Sequence, residues 1–154
     1  HGGANEAAME MIQDWQSPDV AEKELLRMLR DKKKIMGFGH AIYRESDPRN
    51  TIIKKWAKAL AEETGDKTLY PISVRCEEVM WREKRLFCNA DFFHASAYHL
   101  MNIPTKLFTP IFVMSRVTGW AAHVKEQRAN NRIIRPSAEY IGPAKSKWVD
   151  IQHR

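Results

Sequence analysis

Three observations predict an all-α chain. Apolar residues recur at helical spacing along most of the sequence, proline or a small polar residue opens each periodic run, and no stretch alternates like a strand with hairpin signals. Met9, Met11, Ile12 and Trp15 share one face of a first helix, for which Asn5 is the expected N-cap. Ser17-Pro18 supplies a cap and a first-position proline for a helix carrying Val20, Leu25, Leu26 and Leu29. Asp47-Pro48 repeats that signal ahead of Ile52, Ile53, Trp56 and Leu60, with Gly65 just past the helix end. Tyr70-Pro71 begins a helix through Val74 and Met80 towards Leu86, and Asn89 caps one running from Ala90 to Met101. Thr109-Pro110 starts the last helix, which turns polar after Val124. Its apolar character on all sides from Pro110 to Val124 implies packing all round, and asks for more covering mass than this sequence spares.

Two segments break the pattern. Lys34 to Asp47 is a loop with two glycines, a histidine and an arginine, and Arg132 to Arg154 reads as an extended tail. The chain has 154 residues, 44% of them apolar and 29% charged, which is globular rather than disordered composition. Seven Gly and seven Pro exclude collagen-like and low-complexity architectures. Cys76 and Cys88 form no CxxC pair, so a reducing cytoplasm is the expected compartment. Arg116 and His123 interrupt the longest apolar stretch, so no membrane span is expected, and nothing at the start reads as a signal peptide. The opening His1-Gly2-Gly3-Ala4-Asn5, without an initiator Met, reads as a piece of a longer protein. A net charge of +6 calls for an anionic partner: nucleic acid, acidic lipid, or a phosphorylated or carboxylated metabolite.

Several residues stand out chemically. Arg116 lies inside an apolar run, and a guanidinium buried there demands a carboxylate or phosphate, unless it snorkels outward. Arg49 sits in the first turn of its helix, where a cation opposes the helix dipole unless an anion binds at that end; Arg44 lies in the loop just before. Gly37-Phe38-Gly39-His40 exposes backbone N–H groups beside an imidazole but follows no strand, so no Rossmann site is expected. Asp91 occupies a first helical turn, either as a dipole complement or as a carboxylate base. His94, His99, His123 and His153 show no zinc spacing, and no metal site is expected. A basic helical nucleic-acid-binding module is the rival from another class, although no recognition helix or aromatic stacking series accompanies the charge.

Taken in order, these segments resemble the citrate synthase family over nearly the whole chain. The resemblance rests on His1-Gly2-Gly3-Ala4-Asn5-Glu6, Gly37-Phe38-Gly39-His40-Ala41, Asp47-Pro48-Arg49 and Asn89-Ala90-Asp91-Phe92. It continues in Phe108-Thr109-Pro110, Ser115-Arg116, Gly119-Trp120 and Arg135-Pro136. The stretch from Ala95 to Gly142 is most similar to the 2-methylcitrate synthase branch. The resemblance implies a largely helical homodimer, with residues 1–104 matching a small domain and 105–154 the C-terminal part of a large one. It implies condensation of an acyl-CoA, propionyl-CoA favoured over acetyl-CoA, with oxaloacetate, releasing free CoA without a metal or redox cofactor. Plain citrate synthase, using acetyl-CoA, is the nearest alternative. By the same resemblance Asp91 takes the α-proton, His1 hydrogen-bonds the thioester oxygen, and His40 polarises the oxaloacetate ketone. Arg49 and Arg116 clamp its carboxylates, Arg135 reaches the neighbouring subunit's site, and Gly37, Phe38, Gly39 and Arg44 face CoA. The residue types suit that chemistry. A weakly acidic α-proton needs donors at the oxygen that gains charge, and a dianionic electrophile needs fixed, bidentate cations. The family's further oxaloacetate-binding histidine falls before His1.

Overall fold

The computed structural model describes residues 2–135, 137–142, 144 and 147–153. Its α-helices are, in order, α1 (Ala4–Ile12), α2 (Pro18–Arg30), α3 (Pro48–Thr64), α4 (Leu69–Lys84), α5 (Ala90–Leu100) and α6 (Phe108–Ala129). Single 3-10 turns lie at Thr105–Leu107 and Ile151–His153, and the described residues hold no β-strand. The all-α expectation therefore holds. The chain divides into two compact units, His1–Gly119 and Trp120–Arg154.

Most of the helix starts follow from local chemistry. Ser17 Oγ accepts the Val20 N–H at 3.3 Å ahead of Pro18, and Asn89 accepts the Asp91 N–H at 3.0 Å. Gly65 closes α3 with φ 72°, a left-handed conformation that glycine adopts without strain. At α1 the cap is Gly3 (φ 97°), not Asn5, which lies fully buried inside the first turn and accepts the Glu6 N–H. At α4 the start moves ahead of Tyr70-Pro71, because the Asp66 carboxylate gathers the N–H groups of Thr68, Leu69 and Tyr70.

In the first unit, α5 packs against both α1 and α3, while α2 lies on α4. Phe92, Phe93, Ile72, Met9, Ile12 and Leu25 fill the centre, each essentially without solvent exposure. The buried face of α3 keeps half of the expected one, since Ile53 and Leu60 pack against the core. Ala57 and Ala61 face inward, whereas Ile52 and Trp56 are each 60% exposed. Small side chains let the α3 backbone approach α5 closely, and the bulky pair lies on the opposite side. Val20 likewise faces outward on α2, while Ala21 and Leu25 are buried.

Polar groups join the helices. Glu22 of α2 accepts from Arg75 at 2.8 Å and Arg82 at 2.7 Å on α4, which holds its carboxyl below the usual carboxylate range. Lys54 of α3 pairs with Glu77 of α4, and Ser73 and Ser96 share a buried 2.6 Å hydrogen bond across α4 and α5. The helix α6 is largely uncovered, in keeping with the expectation that it asks for more covering mass than this sequence spares. In the first unit Phe108 is buried but Val113, Met114 and Val117 are exposed; in the second, Trp120 and Val124 are exposed. Beyond Ala129 the described residues are irregular up to the final 3-10 turn, as expected of an extended tail.

Candidate active site

The site is built where the starts of α3 and α5 meet. The loop before α3 is tied to the segment before α5: Gly39 N–H donates to the Phe87 carbonyl at 2.8 Å, and Asn89 N–H to the Gly37 carbonyl at 2.9 Å. The Asn89 side chain adds a 2.9 Å bond to the Gly39 carbonyl, so one residue both caps α5 and holds the loop. Gly37 must be glycine. Its φ is +88°, and a Cβ there would sit 2.7 Å from the Phe92 Cβ. Phe38 turns its ring onto Phe92, with centroids 4.6 Å apart.

Asp47 is the hub of the arrangement. One carboxylate oxygen accepts the Arg49 backbone N–H at 3.0 Å and Nε at 2.9 Å. The other accepts Arg49 Nη2 at 2.8 Å and the Ala90 backbone N–H at 3.0 Å. A single buried carboxylate thus caps α3, holds Arg49 in a two-pronged grip and fastens the start of α5. Burial alone would push the Asp47 carboxyl up, but the Arg49 side chain, the two backbone N–H groups and the Arg49 charge outweigh it and hold it below the usual range. The first-turn cation that opposes the helix dipole is thereby offset within the chain. Asp47 raises the Arg49 pKa, with smaller contributions from Tyr43 and from Asp91, whose carboxylate is buried nearby.

His40 is half-buried, and its Nδ1 accepts the N–H groups of Ile42 at 3.0 Å and Tyr43 at 3.1 Å. In the neutral ring the proton therefore sits on Nε2, making His40 a hydrogen-bond donor. Tyr43 bridges the next step, with its ring 4.5 Å from that of His40 and the Arg49 guanidinium 5.8 Å over its face.

His94 has the opposite tautomer. Its Nδ1 meets the Ala90 carbonyl, which can only accept, so Nδ1 carries the proton and Nε2 is the acceptor. Burial holds its pKa below the ordinary histidine value, against the pull of the Ala90 carbonyl and the Asp91 charge. The ring packs on those of Tyr98 (centroids 5.3 Å apart) and, nearly perpendicular, Phe112 (5.7 Å), and the Arg116 guanidinium stands 5.2 Å over the Phe112 ring. Arg116 is half-buried, so of the two readings open to it, enclosed or reaching outward, it takes a middle course: α6 is exposed on this stretch, and the guanidinium rests on the aromatic face of Phe112.

These contacts bring His40, Arg49, Asp91 and Arg116 into one linked network of the first unit. Arg44 is exposed on the loop between His40 and Asp47. Arg135 lies in the second unit, exposed and beside Arg132, Ile133 and Ile134. His1 lies outside the described residues. No group of metal-ligating side chains occurs among the described residues, and no helix is long and apolar enough to cross a membrane.

Residues 1–137 match the family model described as citrate synthase, C-terminal domain. The chain belongs to the citrate synthase family. It is 66% identical over all of its 154 residues to 2-methylcitrate synthase of Shewanella oneidensis, covering 41% of that protein. It is 47% identical, again over its full length, to citrate synthase 2 of Bacillus subtilis, covering 41% of it. Among solved structures it is similar to the citrate synthase of the archaeon Thermoplasma acidophilum in ternary complex with carboxymethyl coenzyme A and oxaloacetate. That likeness has a TM-score of 0.79 and 35% identity over 99% of this chain and 42% of the other. The chain thus spans about two fifths of the length of the relatives it matches.

The sequence singled out His40, Arg49, Asp91 and Arg116 but missed what holds them. Asp47 read only as a cap, and Tyr43, His94 and Phe112 carried no chemical motif. The usable signals were spacings: Phe112 and Arg116 stand four apart on one helix face, as do Ala90, His94 and Tyr98.

Proposed function

We propose that this chain contributes part of the acyl-CoA condensing site of a 2-methylcitrate synthase, which joins propionyl-CoA to oxaloacetate, and that the site is incomplete and inactive without the remaining length of the protein. The observation that supports the reading best is the joined start of α3 and α5, where Asp47 holds Arg49 and the first turn bearing Asp91 to one carboxylate. In this reading Asp91 removes the proton α to the thioester carbonyl, while His1 hydrogen-bonds the thioester oxygen as it gains charge. The resulting enol carbon attacks the oxaloacetate ketone, and the Nε2–H of His40 gives its proton to the new alkoxide. Water then cleaves the thioester, leaving 2-methylcitrate and free CoA. Arg49 and Arg116 clamp the oxaloacetate carboxylates, for which planar guanidinium groups suit better than lysines. Gly37, Phe38, Gly39 and Arg44 face CoA. These steps are proton transfer, carbon–carbon bond formation and hydrolysis, and they call for no metal or redox cofactor.

The proposed assembly is a cytoplasmic homodimer in which Arg135 reaches the neighbouring subunit's site. Residues 1–104 would form the small domain and 105–154 the end of the large one. The supporting finding for the acyl-CoA is the 66% identity to 2-methylcitrate synthase of Shewanella oneidensis.

The test is an enzyme of full family length in which this chain replaces the matching residues of that relative. It should release CoA from propionyl-CoA and oxaloacetate, and Asp91→Asn should lower kcat by about 100-fold or more with little change in oxaloacetate affinity. Solvent exchange of the acyl α-protons should stop as well. Undiminished turnover in Asp91→Asn would assign the base elsewhere, and a higher kcat/KM for acetyl-CoA would move the assignment to citrate synthase.

A further inference from the structure

We propose that His94 is a positioning residue of this site: fixed to the Ala90 carbonyl and packed on Tyr98 and Phe112, it sets the aromatic seat that aims the Arg116 guanidinium. The inference rests on the reading of Arg116 as a carboxylate clamp.

Three contacts support it. The Nδ1–H of His94 is anchored one turn back at Ala90, whose own N–H is held by Asp47, so the imidazole is tied to the hub that grips Arg49. The ring meets Phe112 edge-on across the α5–α6 approach, with centroids 5.7 Å apart at 75°. Phe112 in turn carries Arg116 at 5.2 Å, one helical turn on. Arg116 therefore sits at the end of a chain of contacts that begins at Asp47. A flexible arginine on a half-bare helix loses much side-chain freedom when it binds a carboxylate; a ring held from behind removes part of that loss in advance. In this reading the effect of His94 on the oxaloacetate carboxylates runs through Phe112 and Arg116.

The experiment measures oxaloacetate binding by calorimetry, without acyl-CoA and hence without turnover, in the full-length exchange enzyme. Variants are His94→Ala, His94→Phe, Arg116→Ala and the double His94→Ala/Arg116→Ala. His94→Ala should weaken binding by about 3- to 30-fold, the range for an aromatic-held cation, and raise the oxaloacetate KM more than it lowers kcat. His94→Phe, which keeps the ring but loses the Ala90 bond that fixes it, should recover only part of that loss; no recovery at all would overturn the role given to the ring. In the Arg116→Ala background the His94 change should add nothing further. An equal loss from His94→Ala with and without Arg116 would overturn the proposal while leaving the clamp intact. Unchanged binding in Arg116→Ala would overturn the clamp reading itself, and the inference with it.

Discussion

Replacing Asp47 by alanine tests the logic of the site most directly. The substitution removes four accepted hydrogen bonds, three from Arg49 at 2.8–3.0 Å and one from the Ala90 N–H at 3.0 Å. Leaving the buried Ala90 N–H unpaired costs about 1–3 kcal/mol, and losing the α3 cap costs about 1 kcal/mol. The Arg49 pair adds less than a fully buried pair would, because its guanidinium side is 41% exposed while the Asp47 side chain is 0% exposed. About 1 kcal/mol is a fair share for a partly solvated pair. The total is about 3–5 kcal/mol, or roughly 6–20 °C in Tm for a chain of this size. Asp47→Asn should lose nearly as much, since an amide that keeps the cap through its oxygen turns its NH2 donor towards both the Ala90 N–H and Arg49 Nη2. The pH dependence has a definite sign. The folded Asp47 pKa lies below its unfolded value of about 3.9, so its ionic contribution is complete above that pH and fades as pH falls through the folded value. Unfolding in urea, followed by circular dichroism between pH 7 and pH 3, should show a constant gap between wild type and variant at high pH that narrows below about pH 4. A Tm within about 2 °C of wild type at pH 7, or a gap that widens on acidification, would refute the role given to Asp47.

Gly37→Ala forces a Cβ to within 2.7 Å of the Phe92 Cβ at a φ of +88°, and should lower the urea midpoint by the equivalent of about 2 kcal/mol or more; an unchanged midpoint would show that the loop yields freely. Burial pushes the Cys76 thiol up to about 12 and the Cys88 thiol well above its ordinary value. Ellman's reagent at pH 8 should therefore leave both untouched in the folded chain and titrate both in guanidinium, and rapid labelling of the folded state would contradict the packing. The exchange enzyme should accept both acyl-CoA thioesters, since one methylene changes binding by only about 1–3 kcal/mol, with competition kinetics giving the ratio.

Much of the fold was legible because its signals are local. Ser17-Pro18, Asp47-Pro48 and Asn89 mark helix starts through hydrogen bonds that span at most three residues, and Gly65 marks an end through its own backbone angle. The α3 face was read half correctly, for Ile53 and Leu60 but not Ile52 and Trp56, because hydrophobicity says which side chains prefer burial, not which helix face meets a neighbour. The close approach of α3 to α5 selects Ala57 and Ala61, and the apolar Ile52 and Trp56 lie on the other side. Asn5 was misread for a related reason: the chain enters α1 through the left-handed Gly3, a conformation that composition does not announce.

At the site, residue types were legible while their protonation and orientation were not, and His40 and His94 show why. Both are neutral-capable imidazoles in polar surroundings, and nothing in the flanking residues separates them. The His40 ring folds back on its own loop and meets two N–H groups, which leaves its proton on Nε2. His94 points one turn back along a helix and meets a carbonyl, which puts its proton on Nδ1. The first becomes a donor, fit to lie beside an oxygen that gains negative charge; the second spends its donor on the backbone and serves through its ring. Asp47 was hidden in the same way. Its cap is visible two residues away, but the bond that makes it a hub joins it to Ala90, 43 positions later. Only the packing of α3 on α5 makes that bond, so a motif two residues wide was bound to show the cap and conceal the clamp.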